Sequence, residues 1–216
     1  MQKIVVWDAP TRLFHWLTAV LVAAAYASWR LNWMDWHAYA GYALLALLVF
    51  RLLWGFFGSE TARFAVFLAA PRRVGYHLAH LLRREPDREV GHNPAGGWIV
   101  LLLLALLLAE TLTGIYTNND VADVGPFTEI TPAAVANLIT DLHDVFWQAL
   151  WLVATLHILA VALYWVAKRQ NLLLPMITGC KMLPLAVPQP AQAGALRALL
   201  FLGCGTLVTA ALANFL

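Results

Sequence analysis

Four histidines, His15, His37, His143 and His157, lie within or at the ends of strongly apolar stretches of this 216-residue chain. An ionisable side chain there is costly and marks a functional candidate. His143 and His157 share one apolar segment, fourteen residues apart. On a helix that spacing brings both rings to within about 40° of one face and separates them by about 21 Å along the axis. One helix offering two imidazoles at two depths is what a pair of haems stacked across a bilayer requires. His37 opens its apolar stretch at the end where His143 lies, and His15 enters from the end toward which His157 points. The expected axial pairs are therefore His37 with His143 and His15 with His157. Two axial imidazoles fill the coordination sphere of a haem iron, which suits one-electron transfer rather than oxygen chemistry. A zinc or copper site would need its ligands to converge at one depth, and these do not.

Other polar residues are read around those four. Arg12 precedes His15 by about one turn and is placed for a haem propionate or for Asp8. Arg51 lies inside an apolar stretch, where an unpaired guanidinium is expensive, so a propionate or a carboxylate such as Glu110 is its expected partner. His77 and His80 read as solvated-face residues of a short interfacial helix from Pro71 to Arg84, with Val74, Leu78, Leu81 and Leu82 on its apolar side. His92, in Gly91-His92-Asn93-Pro94, reads as a capping or packing residue. Cys180 and Cys204 read as free thiols, and without a Cys-x-x-Cys-His sequence covalent haem attachment is excluded.

The elements that must carry these residues are membrane helices. Hydrophobic residues make up 62% of the chain and charged residues only 12%, a balance suited to lipid rather than water. A net charge of +2 gives no basis for nucleic-acid binding. Apolar stretches long enough to cross a ~30 Å hydrocarbon core run over about 13–30, 38–57, 97–116 and 144–167. A fifth, about 196–216, follows a Pro-containing linker at 183–195. Trp29, Trp33, Trp36, Trp54, Trp98 and Trp165 cluster at span ends, as interfacial aromatics do. The first stretch could be mistaken for a cleaved signal peptide, but His15-Trp16 and Asp8 are foreign to such a leader.

Charge is distributed one-sidedly. Arg63, Arg72, Arg73, Arg83, Arg84 and Arg88 fall between spans two and three, and Lys168, Arg169 and Lys181 follow span four. The 117–142 loop has no Lys or Arg but carries Asp120, Asp123, Glu129 and Asp141. The positive-inside rule then puts the N-terminus in the cytoplasm and the acidic loop in the periplasm, where it suits a basic partner.

The opening Val6-Trp7-Asp8-Ala9-Pro10-Thr11-Arg12-Leu13-Phe14-His15-Trp16 resembles the start of bacterial cytochrome b561 and nickel–iron hydrogenase b-type cytochromes. Gly91-His92-Asn93-Pro94-Ala95-Gly96-Gly97-Trp98, Thr113-Gly114-Ile115, Asn119-Asp120, Gly125-Pro126, Leu142-His143-Asp144 and Leu156-His157-Ile158 extend the resemblance over about residues 4–182. It implies an all-α integral membrane protein of the bacterial inner membrane, with a four-helix di-haem bundle over residues 1–182. Two non-covalent haem b groups on the four histidines are implied, with ubiquinone or menaquinone as substrate. A periplasmic redox protein, such as a c-type cytochrome or a hydrogenase-like subunit, is the implied partner. Residues 183–216, the linker and additional C-terminal transmembrane helix, depart from the family pattern and are expected to serve partner docking or homo-oligomer contacts. Two roles fit: a quinone-linked electron carrier, which would be an oxidoreductase, or a membrane anchor and electron wire for a hydrogenase-like or dehydrogenase complex.

Overall fold

A computed structural model describes residues 1–80, 89–117, 127–128 and 130–214. The chain runs through β1 (Gln2–Val5), α1 (Ala9–Arg30), α2 (Met34–Phe57), α3 (Phe64–Phe67), α4 (Pro71–Ala79), α5 (Pro94–Gly114), α6 (Ala133–Lys168), α7 (Leu173–Thr178), β2 (Cys180–Leu183) and α8 (Ala195–Asn214). A 3₁₀ turn over Glu60–Ala62 precedes α3. By length and composition α2, α5, α6 and α8 can each cross a membrane, which makes the chain an integral membrane helical bundle. The 22-residue α1 is long enough at about 1.5 Å per residue, but Arg12, His15 and Arg30 dilute its apolar character and it falls outside that set. It is instead held against α2.

Local chemistry explains the boundaries. Asp8 caps α1 by accepting the Thr11 N–H at 2.7 Å, with Pro10 in the first turn. Asn93 caps α5 in the same way, accepting from the Gly96 N–H at 2.7 Å, with Pro94 at the first position. The capping expected near His92 is thus supplied by its neighbour. Between α1 and α2 the chain reverses over Leu31–Trp33, with Asn32 at a left-handed φ of 57°, a conformation asparagine tolerates. So tight a reversal makes the two helices antiparallel neighbours.

Two helices differ from their sequence-derived bounds. The fourth span is a 36-residue helix beginning at Ala133, so His143 sits almost three turns inside α6 rather than at its start. The apolar stretch marks only the part of a helix that can contact lipid, and α6 extends past it through polar residues. The interfacial helix is described over Pro71–Ala79; Leu81, Leu82, Arg83, Arg84 and Arg88 lie outside the described residues, as do Asn119, Asp120, Asp123, Gly125, Pro126 and Glu129. His77 is more than a solvated-face residue, since its Nε2 shares a 2.5 Å hydrogen bond with the Tyr164 hydroxyl and ties α4 to α6.

The main core gathers Phe14, Leu48, Phe50, Trp54, Leu104, Leu107 and Leu150 from α1, α2, α5 and α6. α2 is its axis, packing on α1, α5 and α8, whereas α6 packs its backbone closely against α5. A second cluster of Ile4, Val6, Trp7 and Leu183 closes one end. There β1 and β2 pair antiparallel from Gln2↔Leu183 to Val5↔Cys180, a small sheet the hydropathy pattern does not reveal. Cys180 and Cys204 are free thiols, as expected.

The C-terminal helix lies along α2. Gly205 approaches so closely that a Cβ there would stand 2.3 Å from the Ala46 carbonyl oxygen, while Phe201 meets Trp54 edge-on at 6.2 Å. Gly205→Ala is expected to loosen this seam at a cost of about 1–3 kcal/mol, the usual range for overpacking. Gly203→Ala, which faces open space, should be close to neutral. Thermal unfolding of the two variants in detergent checks this, and equal midpoints would refute the seam.

Candidate functional site

The fold brings the four histidines together in two pairs. The His15 and His157 ring centres are 6.4 Å apart across α1 and α6, and those of His37 and His143 are 6.4 Å apart across α2 and α6. A metal ion between two imidazoles, at a bond length of roughly 2 Å to each, puts the ring centres about 6 Å apart once the ring radii are added. Both pairs have that separation. Between them on the same face of α6 lie Trp147 and Leu150, the first stacked on Tyr26 of α1 at 5.4 Å.

One pair is oriented by backbone carbonyls. The short α1–α2 reversal lets His37 Nδ1 donate to the Ala25 carbonyl at 2.9 Å. His143 Nδ1 donates to the Glu110 carbonyl at 3.0 Å, with the Thr113 hydroxyl also at 3.0 Å. With Nδ1 carrying the proton in each ring, Nε2 is left unprotonated, the form in which an imidazole nitrogen can accept a metal. Gly114 permits the close approach of α5, since a Cβ there would lie 3.2 Å from His143 Cε1. The Glu110 carboxylate stands 3.4 Å from His143 Nε2. Glu110 therefore belongs to this pair and is not the partner of Arg51.

At the other pair, unsatisfied polar atoms accumulate. Among the described residues, buried side-chain atoms without a hydrogen-bond partner include Thr11 Oγ1, Arg12 Nε, His15 Nδ1, Thr18 Oγ1, Arg51 Nη1 and His92 Nδ1, all at the His15 end. Buried polar groups are seldom left unpaired, so such a concentration points to a ligand rich in acceptors. Arg51 is 2% exposed, lies over the rings of Phe14 and Phe64 at 6.0 and 5.1 Å, and has Asp8 as its interacting carboxylate. Arg12 donates through Nη1 to the Ile177 carbonyl, which leaves Nε as its orphan. Asp8 is not paired with Arg12; besides capping α1 it accepts the Trp54 Nε1–H at 2.9 Å.

His92 is held between Trp7 and Phe67, with ring centres at 4.6 and 4.7 Å. Burial pushes its pKa down to about 3, and the charges of Arg51, His157, Lys181 and His15 push the same way. It is therefore a neutral packing ring, as the sequence suggests, rather than a cap.

These residues fit haem: two imidazole pairs at iron-bridging separation, and unpaired guanidinium N–H groups suited to carboxylates beside one of them. The profile of the prokaryotic cytochrome b561 family matches residues 6–179. The chain belongs to the prokaryotic cytochrome b561 family. A probable Ni/Fe-hydrogenase B-type cytochrome subunit of Rhizobium leguminosarum bv. viciae is 26% identical over 218 aligned positions, covering 82% of this chain and 88% of that protein. A probable Ni/Fe-hydrogenase B-type cytochrome subunit of Azotobacter chroococcum mcd 1 is 23% identical, with the same coverage of each chain. No solved structure matches significantly. Membership of a b-type cytochrome family makes haem b the cofactor class and electron transport the general role.

Sequence reasoning singled out the four histidines but missed the parts played by Glu110, Thr113, Gly114 and Trp54. The i–3 relation of Glu110 to Thr113, on a helix ending at Gly114, is the signal that could have placed them on one face toward His143. Asp8→Ala removes the α1 cap, worth about 1 kcal/mol, and leaves the Trp54 N–H buried without an acceptor, at about 1–3 kcal/mol. A matching fall in unfolding stability is expected, with Asp8→Asn much milder; equal losses from the two would show that the cap is not what matters.

Proposed function

We propose that the chain holds two haem b groups non-covalently, one between His37 and His143 and one between His15 and His157, and conducts electrons through the membrane between the quinone pool and a redox partner. The observation that carries this reading is the repeated 6.4 Å ring separation at two levels of a single helix. Bound haem supplies reversible one-electron chemistry at its iron. The protein's part is to set ring orientation through the Ala25 and Glu110 carbonyls and to exclude water with the Phe14–Trp54–Leu107 core. Arg51 and Arg12 are proposed as propionate contacts, on the strength of their unpaired Nη1 and Nε atoms.

The orientation follows from charge. Arg63, Arg72, Arg73, Lys168, Arg169 and Lys181 gather at the end of the bundle that holds β1 and the His15–His157 pair, and the positive-inside rule assigns that end to the cytoplasm. The inner membrane of a bacterium is then the setting, with the His37–His143 pair toward a periplasmic partner such as a c-type cytochrome. A ubiquinone or menaquinone reacting at one end would make the protein a quinone-linked oxidoreductase.

The second reading, a membrane anchor and electron wire for a hydrogenase-like complex without quinone chemistry of its own, draws on the names of the two relatives. Quinol oxidation by the isolated, haem-loaded protein separates the two: turnover supports the carrier, and its absence alongside electron uptake from a reduced hydrogenase subunit supports the wire.

The purified protein is expected to bind two haems per chain and to give reduced-minus-oxidised bands of b type. His157→Ala is expected to halve the haem content and spare the signal of the His37–His143 site. Retention of both haems in that variant would reject the pairing, and absence of a Soret band in the parent would reject the whole reading.

A further inference from the structure

A groove of about 910 Å³ opens where α8 leaves the linker and passes the end of α2. Its walls are Phe56, Phe57, Leu200 and Phe201, and its polar lining is Arg63 and Arg197. One wall, Phe56 and Phe57 with Arg63, lies within the family-matched residues 6–179, and the other comes from α8 beyond them, so the groove exists only where this additional helix meets the shared bundle.

Both arginines are set in place by α2. The last carbonyls of a helix lack intrahelical partners. Here Arg197 Nη1 donates to the Phe57 carbonyl at 2.8 Å and Arg63 Nε to the Gly58 carbonyl at 2.9 Å. Each guanidinium commits one N–H in this way and keeps further donors for a ligand. Glu60, the nearby carboxylate, accepts the Ala191 N–H at 2.8 Å and does not line the groove. The site is therefore cationic at its polar lining and aromatic and aliphatic along its walls.

Its place in the bundle selects the ligand. α2 and α8 are both apolar enough to cross the membrane, and the groove lies where one ends and the other begins. That is headgroup depth, with the apolar walls continuing toward hydrocarbon. Guanidinium groups bind phosphate through strong charge-assisted bonds, and basic pockets between membrane helices select anionic headgroups. We propose that this groove binds an anionic phospholipid, with its phosphate between Arg63 and Arg197 and its acyl chains along Phe56, Leu200 and Phe201. A neutral quinone would draw on the walls but leave the two lining cations unused. The lipid would join α8 to α2 at the membrane surface, complementing the Gly205–Ala46 contact deeper in the seam.

The test uses the full, haem-loaded chain, delipidated in a neutral detergent, with thermal unfolding followed by tryptophan fluorescence. Cardiolipin or phosphatidylglycerol is expected to raise the midpoint saturably, while phosphatidylcholine, inorganic phosphate and a short-chain ubiquinone do not. In R63Q and R197Q the apparent affinity for the anionic lipid should fall roughly tenfold per arginine, as loss of a charge-assisted bond predicts. Reduced b-type bands should be unchanged in both variants, so a failure here is distinguishable from failure of the haem reading. Equal stabilisation by phosphatidylcholine or by the quinone would show an unselective apolar groove and overturn the proposal; the full effect from phosphate alone would replace the lipid with a free anion. Should the arginine variants fail to fold, Leu200→Trp fills the groove while keeping both cations. It is expected to abolish the lipid effect, and an undiminished effect would overturn the proposal.

Discussion

An imidazole inside an apolar bundle needs a partner for each ring nitrogen, and much of this structure can be understood from that requirement. At the His37–His143 pair, one nitrogen of each ring is taken by a carbonyl of a neighbouring helix, Ala25 of α1 or Glu110 of α5. These bonds leave Nε2 as the nitrogen of each ring that is not engaged by a backbone carbonyl. They also demand specific backbone approaches: an α1–α2 reversal tight enough to bring Ala25 to His37, and a glycine at 114 so that α5 can lie against His143. Helix packing here serves ring orientation as much as hydrophobic burial.

The two ends of the bundle meet the cost of polar burial differently. The His143 ring is held by the Glu110 carbonyl and the Thr113 hydroxyl, and among the described residues Glu110 Oε2 is the buried orphan there. Around His15, orphaned donors on Arg12, Arg51 and His92 gather beneath a small sheet that links the N-terminus to the segment after α6. Asp8 organises that end. It begins α1, accepts from the buried Trp54 ring and lies near Arg51, so one carboxylate ties the helix bearing His15 to the axis of the bundle. The charged groups there offset one another only in part, which is the condition for a cationic pocket that favours acidic groups.

The fifth helix, expected to serve partner docking or oligomer contacts, packs within the chain. It covers one side of α2 through a glycine contact and the Phe201–Trp54 edge, while its outer residues, including Leu199 and Leu207, remain on the exposed surface. α2 thereby becomes the most enclosed of the apolar helices. A helix added to a bundle without a water-driven hydrophobic effect must gain its hold from close van der Waals fit and polar contacts at its ends. Both are present, in Gly205 on Ala46 and in Arg197 on the Phe57 carbonyl.

The helical membrane class and the apolar helices α2, α5, α6 and α8 were readable in the residues, because hydropathy and helical period are local properties of a chain; the stretch at 13–30 does form the helix α1, but it falls short of the apolarity of a membrane span. The His143–His157 spacing belongs to the same group, since a 100° rotation per residue holds wherever the helix is placed. The pairing of His15 with His157 and of His37 with His143 was an inference from depth, and the fold brings those rings together. What could not be read locally depends on which surfaces meet. Glu110 faces His143 rather than Arg51 because α5 packs on α6 there, while Arg51 lies at the opposite end among Phe14, Phe64 and Asp8. Neither the β1–β2 pairing, between segments about 180 residues apart, nor the docking of α8 on α2 has a periodic signature. Residue type and spacing specify what each helix can offer; long-range packing selects which offers are brought into contact.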